Sequence, residues 1–212
     1  MHRLDISETM TYKNATFKPI ADTRNFIWTK ENSLSGTFCE NVIKKFDDEP
    51  LKKDGVLGTD RRIDKEIKQT KDFVMSRHDH WVEEDRVFFK ALRDGMEGYR
   101  DSLSSIHKNV VLNNYKLNDT GYKLQRYEPG GFYDWHHDWN IEKGAARIFT
   151  FMWYLNTIKE EDDGYTEFSD GTKLQPTRGT LVMFPATWTF LHRGFPPKIR
   201  KYICNGWIFA KQ

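Results

Sequence analysis

Tyr127-Glu128-Pro129-Gly130-Gly131-Phe132-Tyr133-Asp134-Trp135-His136-His137-Asp138 is the stretch on which the reading of this chain turns. In an extended segment residues i and i+2 point to the same side, so His136 and Asp138 can grip one ion while His137 faces away. A third ligand must come from elsewhere in the chain. His192 lies on a later apolar segment that can pair beside the first. Two histidines and one carboxylate cover one triangular face of an octahedral ion and leave three positions open. Taken alone, a His-x-Asp triplet is common by chance, and a surface histidine is ordinarily just solvated.

A second segment adds weight. Lys201 opens the run Lys201-Tyr202-Ile203-Cys204-Asn205-Gly206-Trp207-Ile208-Phe209, in which Lys201, Ile203, Asn205, Trp207 and Phe209 share one face. A lysine on an inward, largely apolar face carries a large burial penalty unless it meets an anion. Arg200 falls on the opposite face; the competing role for Lys201 is to snorkel to solvent, which its otherwise apolar face disfavours.

The ordered motifs resemble those of the prolyl 4-hydroxylase-like branch of the 2-oxoglutarate- and Fe(II)-dependent dioxygenases. The family's Tyr-x-x-Gly-x-x-Tyr-x-x-His-x-Asp is met by Tyr127, Gly130, Tyr133, His136 and Asp138. Its Arg-x-x-Thr-x-x-x-Tyr-Leu-Asn strand is met by Arg147, Thr150, Tyr154, Leu155 and Asn156. Of a Gly-Gly-Glu-Thr-x-Phe turn, Gly164, Thr166 and Phe168 are present and two positions differ. Pro176 and Gly179, the apolar strand Leu181 to Phe184, His192 and Lys201 follow in order, with Trp207 six residues beyond Lys201. The resemblance spans residues 107 to 212, and so many ordered elements do not coincide by accident.

What this resemblance implies is specific. Fe(II) would be held by His136, Asp138 and His192, which are also the catalytic residues. Lys201 would pair with the far carboxylate of 2-oxoglutarate, aided by Tyr127, Thr166 or Tyr154, and core packing is the competing role for the last three. O2 is the second co-substrate, and ascorbate is a reductant such enzymes use. Arg147 and Trp207 would lie near a peptide substrate, with a plain core role for Trp207 equally open. The reaction implied is hydroxylation of a C–H bond, of a prolyl residue in a peptide or protein, with release of succinate and CO2. The carboxylate at Asp138 favours hydroxylation over halogenation, and Phe209 stands where some peptidyl-proline hydroxylases carry histidine. The alternatives are nucleic-acid demethylation by the same chemistry, and a non-catalytic jelly-roll module that retains a metal site.

Composition narrows these. The 212 residues carry 33 basic and 31 acidic side chains, a formal charge of +2, so no global field points to nucleic acid. No apolar run is long enough for a membrane span and no signal peptide is visible, which leads us to expect a soluble, cytoplasmic protein. Cys39 and Cys204 suit free thiols in a reducing compartment. The length suits one domain, with an arm and supporting helices over 1–106 and a catalytic core over 107–212.

The pattern predicts a mainly β fold with flanking helices: a double-stranded β-helix, or jelly roll, with N-terminal helices packed on one side. The first 20 or so residues read as an extended arm. A helix is expected from Ser33, where Leu34, Phe38, Val42 and Phe46 recur every four residues before Pro50 stops it. Residues 47–72 read as a charged, solvated loop with a short element near Ile63 to Ile67. A second helix is expected over 79–103, weakened by Gly95 and Gly98. Strands are expected at 112–117, 122–127, 148–156, 180–184 and 202–209. His78, His80 and His107 are expected at the surface.

Overall fold

The computed structural model describes residues 26–58, 61–106, 116–142 and 144–211. The expected N-terminal arm, His107 and residues 112–115 of the first expected strand lie outside these.

Two antiparallel sheets face each other. The larger contains β1 (Trp28–Lys30), β2 (Lys53–Asp54), β3 (Lys71–Val74), β4 (Lys116–Asp119), β5 (Lys123–Tyr127), β7 (Ile141–Glu142), β8 (Ala145–Tyr154), β11 (Leu181–Pro185) and β13 (Lys201–Lys211). Its main order is β1-β11-β8-β13-β5-β3-β2, with β4 on β13 and β7 on β8. The smaller contains β6 (Tyr133–His136), β9 (Thr166–Phe168), β10 (Lys173–Leu174) and β12 (His192–Gly194), in the order β10-β9-β12-β6. Together they form the expected jelly-roll core.

Strand alternation sorts the large sheet's residues into two cores. Phe151 and Trp153 of β8, Leu181 and Met183 of β11, and Tyr202, Cys204 and Ile208 of β13 pack outward with the helices. The residues between them, Met152, Tyr154, Val182, Phe184 and Ile203, turn inward with Tyr127 to meet Phe168 of the small sheet. The inner faces of β5 and β13 therefore line the space between the sheets.

Two helices cover the outer face. In α1 (Gly36–Asp48), Cys39, Val42 and Phe46 are buried at helical spacing. Its N-cap is Ser35, whose hydroxyl accepts the Phe38 N–H, so the helix begins at Gly36 rather than at Ser33. A short 3-10 turn over Asp79–Trp81 leads into α2 (Val82–Ile106), which buries Phe88, Leu92, Tyr99 and Leu103. Gly95 and Gly98 serve close approach: a Cβ there would lie 2.3 Å from Leu181 Cδ2 and 2.8 Å from Trp28 Cζ2.

The charged stretch 47–72 departs from expectation. It supplies β2 and the start of β3, which pairs with β5 at the sheet's edge, and Lys68, Thr70 and Asp72 are buried rather than solvated. Charge-rich composition misled here because the side chains neutralise one another inside the fold. His80 is largely exposed but bonds the buried Glu49 carboxylate at 2.8 Å, and His78 stacks on Phe73 with centroids 4.7 Å apart, so neither is an isolated surface group.

Candidate metal centre and adjoining cavity

β6 and β12 are antiparallel neighbours, and His136 and His192 are direct cross-strand partners. Asp138, two residues beyond His136, completes a cluster whose ligand atoms all lie within 4.8 Å of one another. The Nε2 atoms of His136 and His192 stand 4.0 and 3.6 Å from the Asp138 carboxylate oxygens. Those separations are too long for hydrogen bonds and leave a gap where an ion fits between the donors. His137 is exposed and outside the cluster, as strand alternation requires.

The far side of each ligand is fixed. His136 Nδ1 lies 2.7 Å from the Asp134 carbonyl and His192 Nδ1 lies 3.0 Å from that of Phe190. Each Nδ1–H can therefore donate to a backbone oxygen, which turns the Nε2 lone pair to the centre. The Thr150 hydroxyl donates to Asp138 Oδ2 at 2.7 Å. Burial, with His192 beside it, pushes His136 down to about 3. Burial opposes ionisation of Asp138, but His192, His136 and the Thr150 bond prevail and hold its carboxyl at about 2. Two imidazoles and one carboxylate are the donor set expected for a divalent metal, and Fe(II) fits it.

Lys201 sits deeper, between the sheets, 1% exposed. Its ammonium donates to the Gly164 carbonyl at 2.8 Å and lies 4.3 Å from the centroid of the Tyr127 ring. Among the described residues no carboxylate pairs with it, and burial alone lowers its pKa to about 7. Tyr127 is its cross-strand partner, and a Cβ added to Gly194, two residues past His192, would lie 3.2 Å from the Tyr127 ring. Lys201 thus connects to the metal cluster through one aromatic wall. Tyr154 donates its hydroxyl to Thr166 Oγ1 at 2.8 Å, with both residues buried. Arg200 points the other way and bonds Glu128 at 2.8 Å.

Trp207 is the cross-strand partner of Thr150, which places it beside Asp138. Its buried indole N–H helps to hold Asp138 ionised, although no acceptor lies within full hydrogen-bond distance of it. The Arg147 guanidinium lies 3.8 Å from the Trp207 ring centroid, and the Lys123 ammonium lies 5.0 Å from it.

The structure also brings in residues the sequence did not single out. Asp72 accepts from Lys68 Nζ at 2.8 Å, from Thr70 Oγ1 at 2.7 Å and from Gln125 Nε2 at 2.9 Å, all buried. Lys68 Nζ lies 4.8 Å from the Tyr133 ring, which stacks on His136 with centroids 3.5 Å apart. A signal was present for its β5 members alone: the alternation that turns Tyr127 inward turns Gln125 and Lys123 inward as well.

Residues 122–209 match the family model described as the 2OG-Fe(II) oxygenase superfamily. A curated relative, prolyl 4-hydroxylase 1 of Arabidopsis thaliana, is 27% identical over 101 residues, covering 39% of this chain and 36% of its own length. Here the chain matches only about a third of its relative. Among solved structures, the viral collagen prolyl hydroxylase of Paramecium Bursaria Chlorella virus-1, as its 2OG complex, aligns with a TM-score of 0.62 at 22% identity, over 88% of this chain and 97% of that one. The prolyl hydroxylase of Trichoplax adhaerens, in complex with a hypoxia inducible factor peptide fragment, aligns with a TM-score of 0.69 at 18% identity, over 87% and 84%. These structures share the fold. The likeness is thus to a 2OG-Fe(II) oxygenase domain over residues 122–209 and to prolyl hydroxylases in fold.

Proposed function

With residues 122–209 carrying a 2OG-Fe(II) oxygenase domain, we propose that this protein hydroxylates a prolyl residue in a peptide or protein. The observation that carries the reading is a three-donor metal cluster joined through Tyr127 to a buried lysine that lacks a carboxylate partner among the described residues. When bound, Fe(II) with 2-oxoglutarate and O2 supplies the oxidising chemistry, giving succinate, CO2 and a hydroxylated C–H position.

The protein's own groups do the holding. His136, Asp138 and His192 occupy three metal positions and leave the remainder for ligands from solution. Lys201 offers a charge-assisted bond to a distal carboxylate, which would restore neutrality at a site where an unpaired charge is costly. Tyr127 closes that pocket against Gly194, while Tyr154 and Thr166 form a hydroxyl pair on its floor. Thr150 keeps the Asp138 oxygen directed at the metal. Trp207 and Arg147 form a flat cation–aromatic surface beside it, suited to a pyrrolidine ring and the carbonyls that flank it.

The test is succinate formation from 2-oxoglutarate with Fe(II), with and without proline-containing peptides. A prolyl peptide should raise turnover and gain one oxygen atom on proline, and the same peptide with alanine at that position should do neither. Equal stimulation by both would refute prolyl specificity.

A further inference from the structure

Resting on the oxygenase reading above, we propose that Lys123 and Asn205 form a subsite beside Trp207 for an acidic residue of the substrate. The substrate's carboxylate would meet the Lys123 ammonium and a backbone N–H would meet Asn205 Oδ1.

The first observation is the saturation of Asp72. A carboxylate offers about four acceptor positions. Thr70 donates to Oδ1, Lys68 to Oδ2, and the Gln125 amide lies 2.9 Å from each oxygen. Lys123 stands 3.8 Å from Asp72 Oδ2, an ion pair without a hydrogen bond. One carboxylate therefore serves two ammonium groups, and Lys68, 2% exposed, takes the bonded position.

The second observation lies opposite. Asn205 is the direct cross-strand partner of Lys123, on the inward face of β13, and its Oδ1 is buried with no hydrogen-bond partner. Buried amide oxygens nearly always have a partner, so an unmet one beside a lysine short of acceptors requires an explanation. Cross-strand partners stand about 5 Å apart, close enough for one bound residue to reach both. That residue must carry a negative group and an N–H, which an aspartyl or glutamyl residue of a peptide does.

The third observation is position. The Lys123 ammonium lies 5.0 Å from the centroid of the Trp207 ring, and Trp207 neighbours Thr150 and hence Asp138. A residue held there would lie within a few positions of the one presented to the metal. The excess positive charge also repels a basic residue, so the subsite would select against lysine or arginine at that position.

The experiment is a prolyl peptide series in which glutamate or glutamine is placed in turn at each position flanking proline. In the wild-type protein, one position should show a KM about tenfold lower for glutamate than for glutamine, the size expected of one charge-assisted hydrogen bond. Lys123→Met should remove that ratio, and Lys123→Arg should retain most of it, which separates a charge contact from general damage. No glutamate preference at any position, or one that survives Lys123→Met, overturns the proposal while leaving the oxygenase reading intact. If no prolyl peptide is hydroxylated, prolyl specificity fails separately. The subsite is then decided by titrating N-acetylglutamate amide and N-acetylglutamine amide into the wild-type protein loaded with Mn(II) and 2-oxoglutarate. Tighter binding of the acid, lost in Lys123→Met, supports it, and equal binding overturns it.

Discussion

His136 and His192, 56 residues apart in sequence, are cross-strand partners in the small sheet, and each has its Nδ1 held by a backbone carbonyl two residues earlier. The same local device thus orients both imidazoles, so the two histidines are set by adjacent strands, while Asp138 lies just past the end of β6. Asp138 joins them because strand periodicity returns to the inward face at i+2.

This arrangement predicts metal stoichiometry. Titration of Mn(II) should show one tight site in the wild-type protein and in His137→Ala, whose side chain is exposed. His136→Ala, Asp138→Ala and His192→Ala should each lose that site while retaining the far-ultraviolet circular dichroism of the fold. Retained binding in any of the three would displace that residue from the ligand set.

Lys201 predicts both an affinity and a pH dependence. Lys201→Ala should weaken 2-oxoglutarate binding by about 2–5 kcal/mol, a rise in KM of about thirtyfold or more, because the distal carboxylate loses its partner in a dry pocket. Arg200→Ala, which removes an exposed ion pair with Glu128, should change KM little. The free lysine titrates near 7 and must be protonated to pair with an anion. Below that pH the affinity should be level, and above it Kd for 2-oxoglutarate should rise about tenfold per unit. A Kd flat from pH 6 to 9 would contradict the pairing.

Asp72 holds Lys68, Thr70 and Gln125 together, so removing its charge leaves a buried ammonium uncompensated. Asp72→Asn should cost about 3–5 kcal/mol of stability in urea unfolding. Replacing Asp72 and Lys68 together by apolar residues should restore part of it, since the pair itself contributes little net stability.

Gly206 in β13 tests the close packing behind the site. A Cβ there would lie 2.4 Å from the Phe151 ring and 2.5 Å from the Gly121 carbonyl oxygen, and the backbone atom cannot yield. Gly206→Ala should destabilise the fold by about 1–3 kcal/mol and lower Tm by several degrees. An unchanged Tm would mean that β13 and the Gly121 turn are not locked together.

How much of this was legible in the sequence follows from the same geometry. The pairing of His136 with Asp138, the exclusion of His137, and the inward face shared by Lys201 and Trp207 all follow from a two-residue period; the strand bearing Lys201 and Trp207 formed where expected, whereas β6, which bears His136, was not among the expected strands. The helix faces followed likewise from their four-residue spacing, while the bounds moved: the first helix starts at Gly36 rather than Ser33, and the second runs Val82–Ile106 rather than 79–103. Lys68, Thr70 and Asp72 were not legible, because a charged segment looks the same whether its charges meet water or each other. Their partner Gln125 comes from a distant strand, and only strand register reveals which buried groups are satisfied and which, like Asn205 Oδ1, are not.

The central claim, that His136, Asp138 and His192 assemble an oxygenase metal site served by Lys201, is tested most directly by succinate formation from 2-oxoglutarate. The account predicts turnover in the Fe(II)-loaded wild-type protein and in His137→Ala, and none above background in His136→Ala, Asp138→Ala or His192→Ala. Succinate formation that continued in any of those three folded variants, or that was absent from the Fe(II)-loaded wild-type protein with O2 and every peptide tried, would contradict it.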